Sequence, residues 1–299
     1  MNQMSNRIVV AGSTGNLGKR IVKTLLERGA TVVALVRAGA GDEKVDGLKV
    51  LGAKVETLDV TDVNQVAQAC AGADCMVSAV AGLRDVIVDG QKILLEAAMR
   101  AGVPRFIPSD FSTDFTGLPE GENRNFDLRR EFHKVLDAAP IASTAIFNGA
   151  FAEILMYNIP VLDFKKKTVG YWDNPNHRLD FTTMDDTAAY TAAAALDPTT
   201  PQSLRIASFQ ITPTDLVKFA SETFQTPWEL VRMGTVEELR AQNKAARAAN
   251  PEGENELYCR WQQGQYMQSM FSTEHASLEN DRYPDLKWTK LEDVIEPRS

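Results

Sequence analysis

The chain has 299 residues, 44% of them apolar and 24% charged, which is enough for a full α/β core plus a smaller second lobe and is unlike a disordered or low-complexity protein. A net charge of −8 argues against direct nucleic-acid binding, since phosphate recognition needs a clustered positive field. No apolar run has the make-up of a signal peptide or approaches the roughly 18 residues of a membrane span, and Cys70, Cys75, Cys259 and the histidines are scattered, so neither a disulfide framework nor a metal site is expected and a reducing, cytoplasmic setting fits best.

Short apolar runs alternate with amphipathic stretches through the first half of the chain. The run "RIVVAG" reads as a buried strand and leads directly into "GSTGNLGKRIV", where Gly12, Gly15 and Gly18 stand at G-x-x-G-x-x-G spacing between strand and helix. In such a loop the first glycine permits the tight turn, the second lets the backbone approach a pyrophosphate, and the third lets helix and strand pack closely. Thr14, Asn16 and Leu17 complete the loop, and the helical N–H groups that follow are suited to phosphates.

The second strand, "TVVALV", ends at Arg37, where an NAD-specific fold would present a carboxylate. A guanidinium there suits a 2′-phosphate, so NADP(H) is the expected cofactor; Lys44 adds a second nearby cation, with a solvated surface lysine as the alternative. The runs "KVETLDV", "DCMVSAV", "RFIPSD" and "STAIFNG" read as further strands, and "LGKRIVKTLLERG" and "VDGQKILLEAAMRAG" as helices with Gly29 and Gly102 at their C-terminal ends. The series predicts a doubly wound parallel sheet of Rossmann type, with a smaller α+β C-terminal substrate lobe. The boundaries expected are 1–151 and 152–299, with a return of part of 152–195 to the Rossmann sheet left open. After Phe151 the pattern loosens, and "GTVEELRAQNKAARAANPEGENE" is a polar helix stopped by Asn250 and Pro251.

Taken together, "GSTGNLGKRIV", "RAGVPRFIPSDF", "STAIFNGAF" and the C-terminal "YPDLKWTKLEDVI" resemble the isoflavone reductase-like branch of the atypical short-chain dehydrogenases, the NmrA-like superfamily. The resemblance implies NADPH as hydride donor and a small aromatic substrate of phenylpropanoid, lignan or isoflavonoid type. It also implies that Ser78, Ala79 and Val80 lie along the cofactor, that Pro108, Ser109, Asp110 and Phe111 pack beside the nicotinamide, and that Asn148 and Phe151 line the same cleft. Turn chemistry is the alternative role for Ser109 and Asp110.

The chain departs from its relatives at the proton-transfer position. Ordinary short-chain dehydrogenases use Tyr-x-x-x-Lys, and the one such string here, Tyr283 to Lys287, falls in the C-terminal signature, where a structural role is expected. The isoflavone reductase-like enzymes resemble one another in a lysine after a Phe-acid-apolar phrase; here Phe126, Asp127 and Leu128 match and the lysine position is Arg129. Arginine cannot shuttle protons near neutral pH, but it can bind an oxyanion. Leu128, Phe132, Val135 and Leu136 are expected as the buried stripe of this helix, with Arg129 and His133 together along one border, so His133 is the candidate for proton transfer, a surface helix histidine without catalytic duty being the alternative. Tyr258 stands near the histidine of an Asn-His pair found in related plant enzymes, and is taken as a pocket residue. Two functions remain in view: an NADPH-dependent reductase acting as a monomer or homodimer, and an NADP(H)-binding redox sensor or regulator without turnover, which loss of the lysine would favour.

Overall fold

The computed structural model describes residues 6–296. Strand β1 (Arg7–Ala11) is followed by helix α1 (Asn16–Glu27), β2 (Thr31–Arg37), α2 (Asp42–Leu51), β3 (Lys54–Leu58), α3 (Val63–Cys70) and β4 (Cys75–Ser78). A π-helical turn over Asp85–Gly90 leads into α4 (Gln91–Arg100), then come β5 (Arg105–Ile107), α5 (Arg124–Leu136) and β6 (Ala142–Ser143). The six strands form one parallel sheet in the order β3-β2-β1-β4-β5-β6. This is the doubly wound Rossmann-type order, which reverses direction between β1 and β4; ligands of such sheets bind at that point, beyond the carboxyl ends of the strands.

Burial explains why these runs became strands. Ile8, Val9 and Val10 are fully buried, as are Val33 and Ala34, because helices cover both faces of the sheet and leave no polar side. Val9, Val33, Met76, Phe106, Phe132 and Leu136 share one core. Gly29 (φ +80°) and Gly102 (φ +73°) sit just past the last turns of α1 and α4, as expected.

One strand differs from expectation. The run "STAIFNG" is two short strands, because β6 stops at Ser143 and β7 (Ala145–Phe147) pairs elsewhere. At the break, Thr144 N still donates to Phe106 O, whereas Ala145 N turns to Gln202 O. Arg105 fixes the break by donating to Thr144 Oγ1 (2.9 Å), Thr200 O (3.0 Å) and Pro198 O (3.0 Å).

The remaining elements are β8 (Ala150–Phe151), a 3₁₀ turn over Ala152–Tyr157, β9 (Thr168–Trp172), β10 (Leu179–Thr182), α6 (Met184–Leu196), β11 (Ser203–Arg205), β12 (Phe209–Ile211), α7 (Pro213–Thr223), β13 (Glu229–Gly234), α8 (Val236–Ala249), a 3₁₀ turn over Pro251–Asn255, α9 (Arg260–Met270), a 3₁₀ turn over Asn280–Arg282 and α10 (Leu291–Val294). Strand β7 pairs with β11, β9 with β13, and β10 lies between β8 and β12. The polar helix α8 starts at a Thr235–Glu238 capping box and stops at Asn250.

The chain groups into two compact units that alternate along the sequence. Among the described residues, one holds those up to Phe111, with Leu128–Ile146 and Thr187–Leu204; the other holds Ser112–Asp127, Phe147–Asp186 and those from Arg205 onward. The second unit has its own core, built on Leu155, Leu162, Val169, Phe181, Leu216 and Trp228.

A contrast between two glycines tests how α1 is seated. A Cβ on Gly18 would lie 2.2 Å from the Gly12 carbonyl oxygen, so Gly18→Ala is expected to cost about 1–3 kcal/mol of unfolding free energy by overpacking. Gly29→Ala meets nothing within 4 Å and carries only the left-handed backbone penalty of roughly 1–2 kcal/mol. Urea unfolding of both variants measures the difference, and the Gly18 variant should also lose cofactor affinity.

Candidate active site

The glycine loop is built from its backbone outward. Gly12 adopts φ +74°, and a Cβ there would lie 2.3 Å from Ala79 O, so the turn after β1 lies directly against the chain leaving β4. Ser13 is buried and donates to Leu35 O at 2.9 Å, tying the turn to β2. Gly15 is exposed at the N-cap of α1 with ordinary extended backbone, and a Cβ there would approach Gly12 O at 3.2 Å. Gly15 therefore keeps a surface open, whereas Gly12 and Gly18 allow close packing.

The first turn of α1 contains no acidic residue and no side-chain cap. Helix α2 carries Asp42 and Glu43 in its first turn, and the Asp62 side chain accepts from Asn64 N and Gln65 N at the start of α3. Of these three helix starts, α1 alone offers its N–H groups and positive dipole end to an outside anion. Nearby, Ser78 is fully buried at the end of β4, and its Oγ has no hydrogen-bond partner. A bare helix start, a cradle that a side chain would fill and an orphaned hydroxyl at the strand-order reversal all fit a dinucleotide pyrophosphate. Arg37 is exposed at the carboxyl end of β2 and Lys44 is exposed on α2, so both can meet a phosphate from solvent.

The loop after β5 is held more tightly than a turn requires. Ser109 N donates to Gln91 Oε1 (2.9 Å), Ser109 Oγ to Val80 O (2.7 Å), and Arg129 Nε to Ser109 O (3.1 Å). Asp110 is fully buried, and its Oδ2 lies 2.6 Å from His133 Nε2. Arg129 and His133, one helical turn apart on α5, thus both turn to the Pro108–Phe111 loop, as their border position predicts. Burial lowers the His133 pKa, but the Asp110 charge, the hydrogen bond to it and the nearby Asp137 outweigh burial and the Arg129 charge, leaving the pKa above its usual 6.5.

Two features of this region differ from the sequence expectation or escaped it. Val135 is 39% exposed and lies off the buried stripe; the buried anchors in this part of α5 are Phe132 and Leu136. Gln91 was not singled out, yet it is fully buried and joins the π-helical turn to the loop through Ile87 O and Ser109 N. Its signal was present: with Ile87, Leu94, Leu95 and Ala98 it occupies a helical apolar stripe where a carboxamide is out of place.

In the second unit, Asn148 is fully buried, and neither Oδ1 nor Nδ2 has a hydrogen-bond partner. Its backbone is fixed by Asn148 N donating to Ser112 O at 3.0 Å and Thr182 Oγ1 donating to Asn148 O at 2.6 Å. A carboxamide held this way and left unsatisfied suits a polar ligand group. Phe151 is half-buried on β8, and Tyr258 is 71% exposed. The neighbouring rings are packed: Tyr266 meets Phe126 edge-on at 5.4 Å, and Trp261 lies under the Arg124 guanidinium at 4.9 Å. Tyr283–Lys287 is not helical, so nothing there presents the pair as a Tyr-x-x-x-Lys helix does.

Among the described residues no helix is long and apolar enough to cross a membrane, and no cluster of three metal-ligating side chains occurs.

The sequence model of the NmrA-like family matches residues 4–242. Pinoresinol reductase 1 of Arabidopsis thaliana is 31% identical over 97% of this chain and 96% of its own length. A bifunctional pinoresinol-lariciresinol reductase of Linum usitatissimum is 32% identical over 65% of this chain and 66% of its own. Among solved structures, AtPrR2 with NADP+ and (+)-pinoresinol superposes with a TM-score of 0.79 at 25% identity, covering 98% of both chains. An isoflavone reductase crystal structure gives a TM-score of 0.80 at 20% identity over 97% of this chain and 98% of its own, a likeness of fold. With its glycine cradle, its six-stranded parallel sheet and relatives matched over nearly the full length, this chain belongs to the NmrA-like family, in the isoflavone reductase-like branch.

Proposed function

We propose that this protein is an NADPH-dependent reductase of a small aromatic compound, with lignans of the pinoresinol type first among the substrates to test. The observation that carries the proposal is the joining of Arg129 and His133 to the Ser109–Asp110 loop at the carboxyl end of β5, on the same sheet edge as the glycine cradle. Relatives named as pinoresinol reductases support the substrate class.

The residues suited to hold the dinucleotide are Gly12, Thr14, Gly15, Asn16, Leu17 and Gly18 for the pyrophosphate, and Arg37 with Lys44 for the 2′-phosphate. Ser78, Ala79 and Val80 are suited to lie along the cofactor and the Pro108–Phe111 loop to pack beside its nicotinamide; in the second unit, taken by itself, Asn148 offers a carboxamide to a polar ligand group, and Phe151 and Tyr258 are suited to an aromatic substrate. Bound there, NADPH supplies a hydride for an electrophilic carbon. Arg129 holds a permanent positive charge whose plane is fixed by the Ser109 carbonyl, and it stabilises negative charge developing on the substrate. His133 holds the proton: with Nε2–H donated to Asp110, the proton that exchanges sits on Nδ1. The arginine at the family's lysine position favours a second reading, NADP(H) binding without turnover, and turnover decides between the two.

Three outcomes are expected. Titration with both cofactors should show Arg37→Ala weakening NADPH about tenfold or more while leaving NADH nearly unchanged, as loss of a charged hydrogen bond to the 2′-phosphate requires; equal loss for both removes that role. Stopped-flow oxidation of NADPH with a lignan or isoflavonoid that turns over should show Arg129→Ala slowed about 10²-fold at little cost in NADPH affinity. If the wild type binds NADPH and oxidises it with no member of a broad aromatic panel, the sensor reading replaces the reductase.

The third outcome concerns pH. A histidine whose pKa is raised in the folded state stabilises the fold fully below its unfolded value, near 6.5, and loses that contribution as pH rises through the native value. The stability gap between wild type and His133→Gln should therefore shrink as pH increases. Activity that depends on the His133 proton should fall over the same limb, and that limb should flatten in the variant.

A further inference from the structure

Gln91 is wholly buried, and both ends of its carboxamide are used for different purposes. Its Nε2 donates to Ile87 O within its own helical segment (2.9 Å), while its Oε1 leaves that segment to accept Ser109 N (2.9 Å). A carboxamide buried this completely must satisfy both ends, and this one does so by tying its helix to the loop after β5. The junction is also where the π-helical turn Asp85–Gly90 gives way to α4, and π turns are frequent at functional sites.

Ser109 has its N–H, hydroxyl and carbonyl committed to three different parts of the chain: Gln91, Val80 and Arg129. Its N–H belongs to the Pro108–Ser109 peptide, whose carbonyl in turn accepts Asp110 N at 2.9 Å. Whatever orients that peptide therefore orients the Ser109 carbonyl that holds Arg129 and the Asp110 carboxylate that meets His133. The hydroxyl bond alone leaves the peptide free to rotate about the serine side chain.

We infer that Gln91 is a positioning residue: its carboxamide fixes the Pro108–Ser109 peptide and so sets the places of Arg129 and His133 without touching either. The expected rate effect rests on the reductase reading, and the placement of His133 does not. The charged groups facing His133 are Asp110 from the loop, Arg129 from its own helix and Asp137 just past the end of that helix, so a shift of Asp110 should register in the histidine's titration.

The test uses the full chain and two variants. Gln91→Met keeps the volume and removes both hydrogen bonds. Gln91→Glu keeps the acceptor for Ser109 N–H and, when protonated, a donor for Ile87 O. The His133 pKa, followed by NMR, is expected to fall in the methionine variant, where burial is less well opposed, and to stay raised in the glutamate variant. With a substrate that turns over, kcat should drop about tenfold or more in Gln91→Met with KM for NADPH within roughly threefold, and recover in Gln91→Glu at mildly acidic pH. A methionine variant that loses thermal stability while His133 titrates as in the wild type would reduce Gln91 to a packing residue and overturn the inference. A glutamate variant in which the His133 pKa falls does the same, and decides the question alone if the methionine variant does not fold. If the wild type turns over no aromatic substrate, the reductase reading fails, and the titrations still settle the position of His133.

Discussion

Helix α1 can begin where it does only because Gly18 has no side chain. Its Cα faces the Gly12 carbonyl so closely that a methyl would stand 2.2 Å from the oxygen, and Gly12 itself is as tightly set against Ala79. These two contacts draw the first turn of α1 onto the junction of β1 and β4, where the strand order reverses. The helix therefore starts with its N–H groups at the mouth of the sheet instead of beneath a capping side chain. Helices α2 and α3 start with carboxylates of their own and have no such vacancy for an anion. That difference in packing leaves the start of α1 suited to an anion, which would supply what a cap supplies elsewhere.

The same sheet edge carries a second electrostatic problem. A carboxylate buried as completely as Asp110 is costly unless another group compensates it, and His133 at 2.6 Å supplies that compensation when it is protonated. Burial alone would drive the histidine neutral. Its raised pKa shows that attraction to Asp110, with help from Asp137, exceeds the desolvation cost and the repulsion from Arg129. The protonated form is thus favoured over that of a free imidazole, on a ring mostly shielded from water and in a place set by a loop and a helix far apart in sequence.

What could be read from the sequence was what depends on near neighbours. The glycine loop, the end of β2 at Arg37, the helix stops at Gly29 and Gly102, and the pairing of Arg129 with His133 on one helical border all follow from spacings of a few residues. Val135 was misassigned because it stands at the edge of the apolar stripe, where periodicity alone does not decide between core and solvent. The break in "STAIFNG" could not be seen, since it is imposed by Arg105 and by Gln202, which are remote in sequence from Thr144 and Ala145. Gln91 and the Asp110–His133 contact were hidden for the same reason: each joins segments separated by 18 or more positions, and composition does not reveal which polar residue has its partner inside the core.

The change from lysine to arginine alters the division of work on α5. A lysine at a family site can hold charge and exchange a proton through one group, whereas Arg129 keeps its charge and cannot exchange. On the reductase reading the proton needs a second carrier, and the helix puts an imidazole on the next turn at His133. The two groups are coupled, because the Arg129 charge disfavours protonation of His133 while Asp110 favours it. Without Arg129 the imidazolium would hold its proton more firmly and be the weaker acid; without Asp110, burial would remove the proton before it could be used. Opposing charges act on this one imidazole, Asp110 favouring its proton and Arg129 disfavouring it, and on the proposed reading that balance is what would let it donate a proton beside an arginine that cannot.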